Sequence, residues 1–333
     1  MKNLFGQKSI SMMIAAILAI FITGGTSLYA SNTDYVTRNF KFSHIESIKA
    51  GSIFNIEVTE GSSNNVTLRC PKSMEKYVSL KWVNGTLICS FQSPKKNYRI
   101  KDEKITVKLQ MKNIANIKLG GASKLVLNGN FTARNDMNIV LSGATNISGI
   151  HTVTGSNLNI EATGASHVKI NGSFKYATAI ISGAARLQAK GKIGFTSVST
   201  SGAAGFSYDG VYTGQTLYIK SSGASEVYMY GRSGKNETIT AESQGASSIT
   251  LKGNTNHVEF TSSGSSSINS KELTARSGKA TASGPSKITV YATDKLALTS
   301  SSVSASIRYY GNPKVLDVDA YETRKTTTIK EGY

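Results

Sequence analysis

The chain has 333 residues, with 38 Lys and Arg against 20 Asp and Glu, a formal net charge of +18, and only two cysteines and four histidines. A field of this sign favours polyanionic partners such as acidic polysaccharide, lipopolysaccharide or an anionic membrane surface. The lysines are scattered with no basic run, which argues against nucleic acid.

Residues 1–30 read as a secretory signal. Lys2 and Lys8 precede an uncharged apolar run, Ile10 to Ile22, followed by small residues and a Leu28-Tyr29-Ala30 ending. The alternative, a single spanning helix, is disfavoured because the run is short of the roughly 20 residues a bilayer core needs. No cysteine follows the run, so a lipid-anchored start is not indicated. Cleavage would leave about 303 residues with 36 basic and 20 acidic side chains, a net charge of +16, and no second apolar segment of spanning length.

Residues 31–112 are strand-rich: "IFNIEVTEG", "NNVTLRC", "VSLKWVNGTLICSF" and "KITVKLQM" all alternate. Asn84-Gly85 between two such runs is a hairpin signal. Cys70 and Cys89 each lie in an alternating segment. An exported chain permits a disulfide between them, and each could equally be a small buried hydrophobe. This segment lacks the glycine corner that recurs after residue 112. It is expected to be continuous with the repeats and to cap their open end against edge pairing.

From residue 113 to 313 one phrase recurs, as in "LYIKSSGASEVYMYG". Its central glycines are Gly121, Gly143, Gly164, Gly183, Gly202, Gly223, Gly245, Gly264 and Gly284, at steps of 22, 21, 19, 19, 21, 22, 19 and 20. A degenerate tenth copy, "SSVSASIRYYG", puts Val303 in the glycine slot. Four residues before the glycine stand apolar side chains from Ile117 to Ala280, and four after it another set from Leu125 to Ile307. Between them lie small residues such as Ala122-Ser123 and Ala224-Ser225, and a second glycine often closes the unit eight residues on, as at Gly191, Gly210 and Gly231. Two short strands joined at a tight corner fit this pattern, with glycine taking positive φ and small neighbours admitting the same corner stacked above. One such coil cannot bury its apolar face alone; stacked at about 4.8 Å, ten would form a rod roughly 50 Å long.

The expected fold is therefore all-β, a parallel β-helix or β-solenoid of about ten coils of roughly 20 residues. Leucine-rich repeats would show their Leu and Asn spacing, propeller blades run to about 40 residues, and a calcium roll needs aspartate in its turns. None of these is present. Residues 314–333 are polar and charged, and that tail is expected to cap loosely or fray.

Strand openings like "FNIEVTEG", the later "VNGTLICSF", the series of S-G-A-S corners and a terminal "YYGNP" together resemble the putative auto-transporter adhesin, head GIN domain family of secreted proteins, common in the Bacteroidetes. The resemblance covers roughly residues 40–313. It implies export to the cell envelope, in the periplasm or on the surface, and a β-solenoid fold. It carries no catalytic residues, and the chain has more coils than a minimal member, so a family match in two pieces is expected.

Chemistry is hard to find. Glycoside hydrolysis wants two carboxylates about 5–10 Å apart, and a lyase wants a cation-holding carboxylate with a basic proton acceptor. Glu161 and Glu242 share a slot but sit four coils apart, Asp209 and Glu226 lie in different columns, and no D-x-D or D-D pair is expected on a strand. His44, His151, His167 and His257 show no zinc spacing, so no metal or cofactor is expected. The outward columns five and seven after the glycine do combine rings with cations: Tyr228, Tyr230, Lys252, Lys271, Tyr291, Arg308 and Tyr310, with Lys190 further back. Such a strip could stack on sugar rings and attract acidic groups, although Tyr, Thr and Lys are also ordinary on exposed strands. The sequence thus reads as a non-enzymatic envelope solenoid that binds an anionic polysaccharide or another surface component. The alternatives are a carbohydrate-active enzyme such as a polysaccharide lyase, and a purely structural envelope protein.

Overall fold

Nine glycine corners turn the chain back on itself, and each does so with φ between +65° and +79°. The computed structural model describes residues 34–93, 104–134, 136–149, 152–231, 238–320 and 328–331; the leader expected over 1–30 lies outside them. The chain winds into a parallel β-solenoid of about ten turns. Two ladders run its length, one from the strands before each corner and one from the strands after it.

The register explains why the columns are apolar. Before the corner, Ile117, Ile139, Ile160, Ala179, Val198, Ile219, Ala241, Phe260 and Ala280 stack rung on rung. After it, Leu125, Ile147, Val168, Leu187, Phe206, Val227, Ile249, Ile268, Ile288 and Ile307 do the same. Every one of these side chains is buried. At about 1.5–3 kcal/mol for each large aliphatic side chain removed from water, the two columns supply much of the folding drive.

The corner is glycine because the next corner leaves no room. A Cβ on Gly143, Gly164, Gly183 or Gly202 would stand 2.5–2.9 Å from the carbonyl oxygen of the corner glycine one turn before. That carbonyl accepts a hydrogen bond from the N–H of the next turn's alanine, at 2.7–2.9 Å for Ala144, Ala165, Ala184, Ala203, Ala224 and Ala246. Two residues after the glycine the side chain turns inward, and it is Ser, Thr or Ala throughout. From Thr200 to Ser262, hydroxyls also replace the aliphatic residues two before the glycine, and a buried seam forms. Thr200, Ser221 and Ser225 bond one another at 2.8–3.0 Å, Ser243 bonds Ser247 at 2.9 Å, and Ser262 bonds Ser266 at 2.8 Å. Earlier in the rod, where that partner column is Leu or Ala, the Ser123, Thr145 and Ser166 hydroxyls are buried without a partner.

The structure departs from the sequence expectation at both ends. The coils begin one turn earlier than Gly121. Ser47–Ala50 pairs in parallel with Asn116–Leu119, Phe54–Glu60 pairs with Lys124–Asn128, and the corner between them is carried by Ser52 at φ 74°. Thr86–Phe91 and Ile105–Met111 extend both ladders by one further rung, and antiparallel strands Tyr35–Lys41, Asn65–Pro71 and Val78–Val83 lie against them. Asn84-Gly85 makes the expected hairpin turn, both residues at positive φ. At the far end the described residues of the polar tail do not form a loose cap. Val315–Ala320 and Thr328–Glu331 continue the two ladders. At the last corner Val303, whose branched side chain disfavours positive φ, does not adopt it, and the Ser302 hydroxyl donates to the Gly284 carbonyl at 3.0 Å.

The disulfide that export would permit is not formed. Cys70 and Cys89 are both free and buried. Their strands are not ladder neighbours, since Cys70 pairs toward Val36 while Cys89 pairs with Ala50 and Leu80. Burial pushes the Cys70 thiol up to about 11, helped by the Glu75 charge, and the Cys89 thiol up to about 12.

Candidate binding face

Side chains that alternate inward for the core must alternate outward between its columns, so the post-corner strands present two outward columns. The parallel register aligns Tyr228 with Thr250, Asn269, Thr289 and Arg308 in one, and Tyr230 with Lys252 in the other, where Tyr291 meets Tyr310 further on. The seven residues singled out in the sequence therefore share one face. Lys190 joins it three rungs back, through Asp209 and Tyr230.

The second column is not continuous. The ladder shifts register after Thr250 and again after Asn269, so Lys252 pairs with Glu272 and not with Lys271. This bulge brings in an acid that the sequence columns had hidden. Lys252 Nζ lies 2.8 Å from Glu272 Oε1 and 5.9 Å from the Tyr228 ring centroid. The Glu272 carboxylate holds the Lys252 ammonium above its ordinary range. On the same bulge, exposed Lys271 reaches across to Tyr310, its Nζ 4.5 Å from the ring centroid. The face is thus two clusters, Tyr228–Lys252–Glu272 and Lys271–Tyr310 with Tyr291 beside it, flanked by exposed Arg308. Cations held over ring faces are ordered before any ligand arrives.

The acids weighed for catalysis stand apart. Glu242 pairs with Lys220 at 3.5 Å, Glu161 faces Ile180 across the ladder, and Glu226 lies beside Gly205 and Ser248. One D-x-D does fall on a strand, contrary to the sequence expectation: Asp317 and Asp319 on Val315–Ala320, both exposed, next to Ala297 and Thr299. Among the described residues no three His, Cys, Asp or Glu side chains come together as a metal site. His44 packs edge-on against Trp82 and His257 Nδ1 lies 2.8 Å from Ser277 Oγ, whereas His151 is outside the described residues.

The pre-corner strands present a second outward surface, absent from the columns counted in the sequence. It holds three of the large apolar side chains left exposed along the rod: Tyr176, Ile180 and Tyr218. The signal was present in the sequence, because each lies one step from an inward column.

Crystal structures similar to the chain include a putative adhesin from Parabacteroides distasonis, at 17% identity and TM-score 0.37 over 90% of this chain and 98% of that one. A putative adhesin from Parabacteroides merdae matches at 15% identity and TM-score 0.34 over 91% and 98%. A putative lipid binding protein from Parabacteroides distasonis matches at 15% and 0.32 over the same shares. No curated protein matches the sequence significantly. The family model described as "Putative auto-transporter adhesin, head GIN domain" matches in two overlapping stretches, residues 44–233 and 194–313. The chain belongs to that family.

Proposed function

We propose that this protein is a non-catalytic, adhesin-like binding protein of the cell envelope, exported to the periplasm or the cell surface, that engages anionic glycans. The observation that carries the reading is the shared face of Tyr228, Tyr230, Tyr291 and Tyr310 with Lys252, Lys271 and Arg308. Rings offer flat apolar area to a sugar, and the cations offer charge-assisted hydrogen bonds to a carboxylate or sulfate on it. The excess of basic residues over the whole chain steers a polyanion toward the rod. The separation of Glu161, Glu226 and Glu242 supports binding without cleavage, and among the described residues no cluster of carboxylates forms a cation site.

A glycan array probed with the mature protein at low and high salt, with product analysis on the acidic polymers, tests this. Binding to defined acidic glycans should weaken at high salt and leave the polymers intact. Replacing Tyr228, Tyr230 and Tyr291 together by Ala should abolish it. Unaltered binding by that variant, or new unsaturated or reducing ends, would overturn the proposal.

A further inference from the structure

Most exposed large apolar side chains of the described residues lie near the ends of the rod or at turns, at Val83, Val303, Val315, Leu316 and Val318. The remaining three, Tyr176 at 47%, Ile180 at 56% and Tyr218 at 56% exposure, sit together in its middle, on a different outward surface from the Tyr–Lys strip. Solvated strands do not gather such side chains by default, and a patch of this kind marks an interaction site.

The ladder fixes how they are arranged. Thr178 pairs with Ser197 and Ser197 with Tyr218, while Ile180 pairs with Ser199 and Ser199 with Lys220. Tyr176 and Ile180 therefore stand on one rung and Tyr218 two rungs on, and the rung between them offers only the Ser197 and Ser199 hydroxyls. The next outward residue toward the bend on that middle rung would be Phe195, but the register slips there and Phe195 packs inside against Phe206 and Tyr208, at 5.2 and 5.4 Å between ring centroids. From this middle rung onward a shallow cleft of about 330 Å³ runs past Tyr218, lined by Ser197, Ser199, Tyr218, Ile219, Lys220, Thr240 and Glu242, with Tyr176 and Ile180 outside it. Its far edge is the Lys220–Glu242 pair, 3.5 Å apart, with a formal charge that cancels.

We propose that this cleft binds a neutral, pyranose-based glycan, with Tyr218 as its stacking platform. Tyr176 stands two rungs back and two residues aside from the Thr178–Ser197–Tyr218 column, about 7 Å across the axis, with Lys175 Nζ 5.0 Å from its ring centroid, and so flanks the cleft from outside. The Ser197 and Ser199 hydroxyls on one side of Tyr218 and the Thr240 hydroxyl on the other line the cleft beside the stacked ring and offer hydrogen bonds to its edge. The Glu242 carboxylate accepts and the Lys220 ammonium donates, which is what vicinal hydroxyls require and what an acidic group would not. An apolar platform combined with a few convergent polar groups makes a small-molecule site. The inference rests on the binding role proposed for the protein, but not on the strip assigned to it.

Isothermal titration calorimetry of the full mature chain with neutral β-linked hexasaccharides of glucose, mannose and N-acetylglucosamine tests it. At least one of the three should bind, with less than about a twofold change in affinity between low and high salt. Tyr218→Ala should weaken that binding by about tenfold or more. Ser199→Arg, which fills the cleft from a solvent-facing position, should do the same, and the Tyr228, Tyr230 and Tyr291 triple variant should bind as before. Absence of binding to all three probes overturns the inference, as does binding that survives both Tyr218→Ala and Ser199→Arg in folded protein. Salt-sensitive binding lost only in the triple variant would uphold the anionic-glycan strip and overturn the cleft.

Discussion

Gly183 shows how much one residue decides. Its φ is +71°, and an added Cβ would stand 2.9 Å from the Gly164 carbonyl oxygen, so alanine meets a conformational penalty and a collision together. Gly183→Ala should cost about 2 kcal/mol or more, since the left-handed region alone costs an L-residue roughly 1–2. Gly51, in contrast, has open space around its Cβ direction and no positive φ; Gly51→Ala should change stability by less than about 0.5 kcal/mol. Urea-unfolding midpoints of the two variants make the comparison. The corner glycines were legible in the sequence because positive φ at all nine corners, with the corner beneath crowding the Cβ direction, favours glycine turn after turn. Ser52 was not, because there a serine takes φ 74° with only one rung of coil beyond it. No glycine repeat marks that corner.

At the scale of the strand, alternation carries most of the fold but fails where a bulge resets the count. Residues 270–273 are such a place: Ser270 and Leu273 are both buried, and Lys271 and Glu272 both face out between them. Counting by twos from Gly264 placed Lys271 in the binding column and missed Glu272, whose carboxylate holds Lys252. The N-terminal strands were legible as strands, but their thiols could be read two ways, and the structure leaves Cys70 and Cys89 buried and reduced. A thiol whose folded-state value is raised binds a proton that the unfolded chain has already lost above about pH 9, so folding stability falls as pH rises toward 11–12. The urea midpoint should therefore decline above pH 9, and less steeply in Cys89→Ala. At pH 8 a thiol-reactive dye should label neither cysteine until the protein is unfolded.

Over the whole molecule, each coil packs chiefly on the coils above and below it, so stability is close to a sum of coil and interface terms. Removing residues 246–264, one repeat from after Gly245 through Gly264, should give a folded rod shorter by about 5 Å in small-angle scattering. Removing a single strand residue such as Ser199 should instead lower the urea midpoint without shortening the rod, because the side chains between it and the neighbouring corner change face. The two proposed binding surfaces share this modularity, since both are written across several rungs. The glycine-on-glycine stack has a genetic consequence. Because each corner is shaped to accept a copy of itself, an in-frame tandem duplication of one repeat produces an insert that fits at birth, with no compensating change elsewhere. Rod length, and with it the reach of whatever the faces hold, can then change by copying events alone, while point substitution is left to adjust the outward columns.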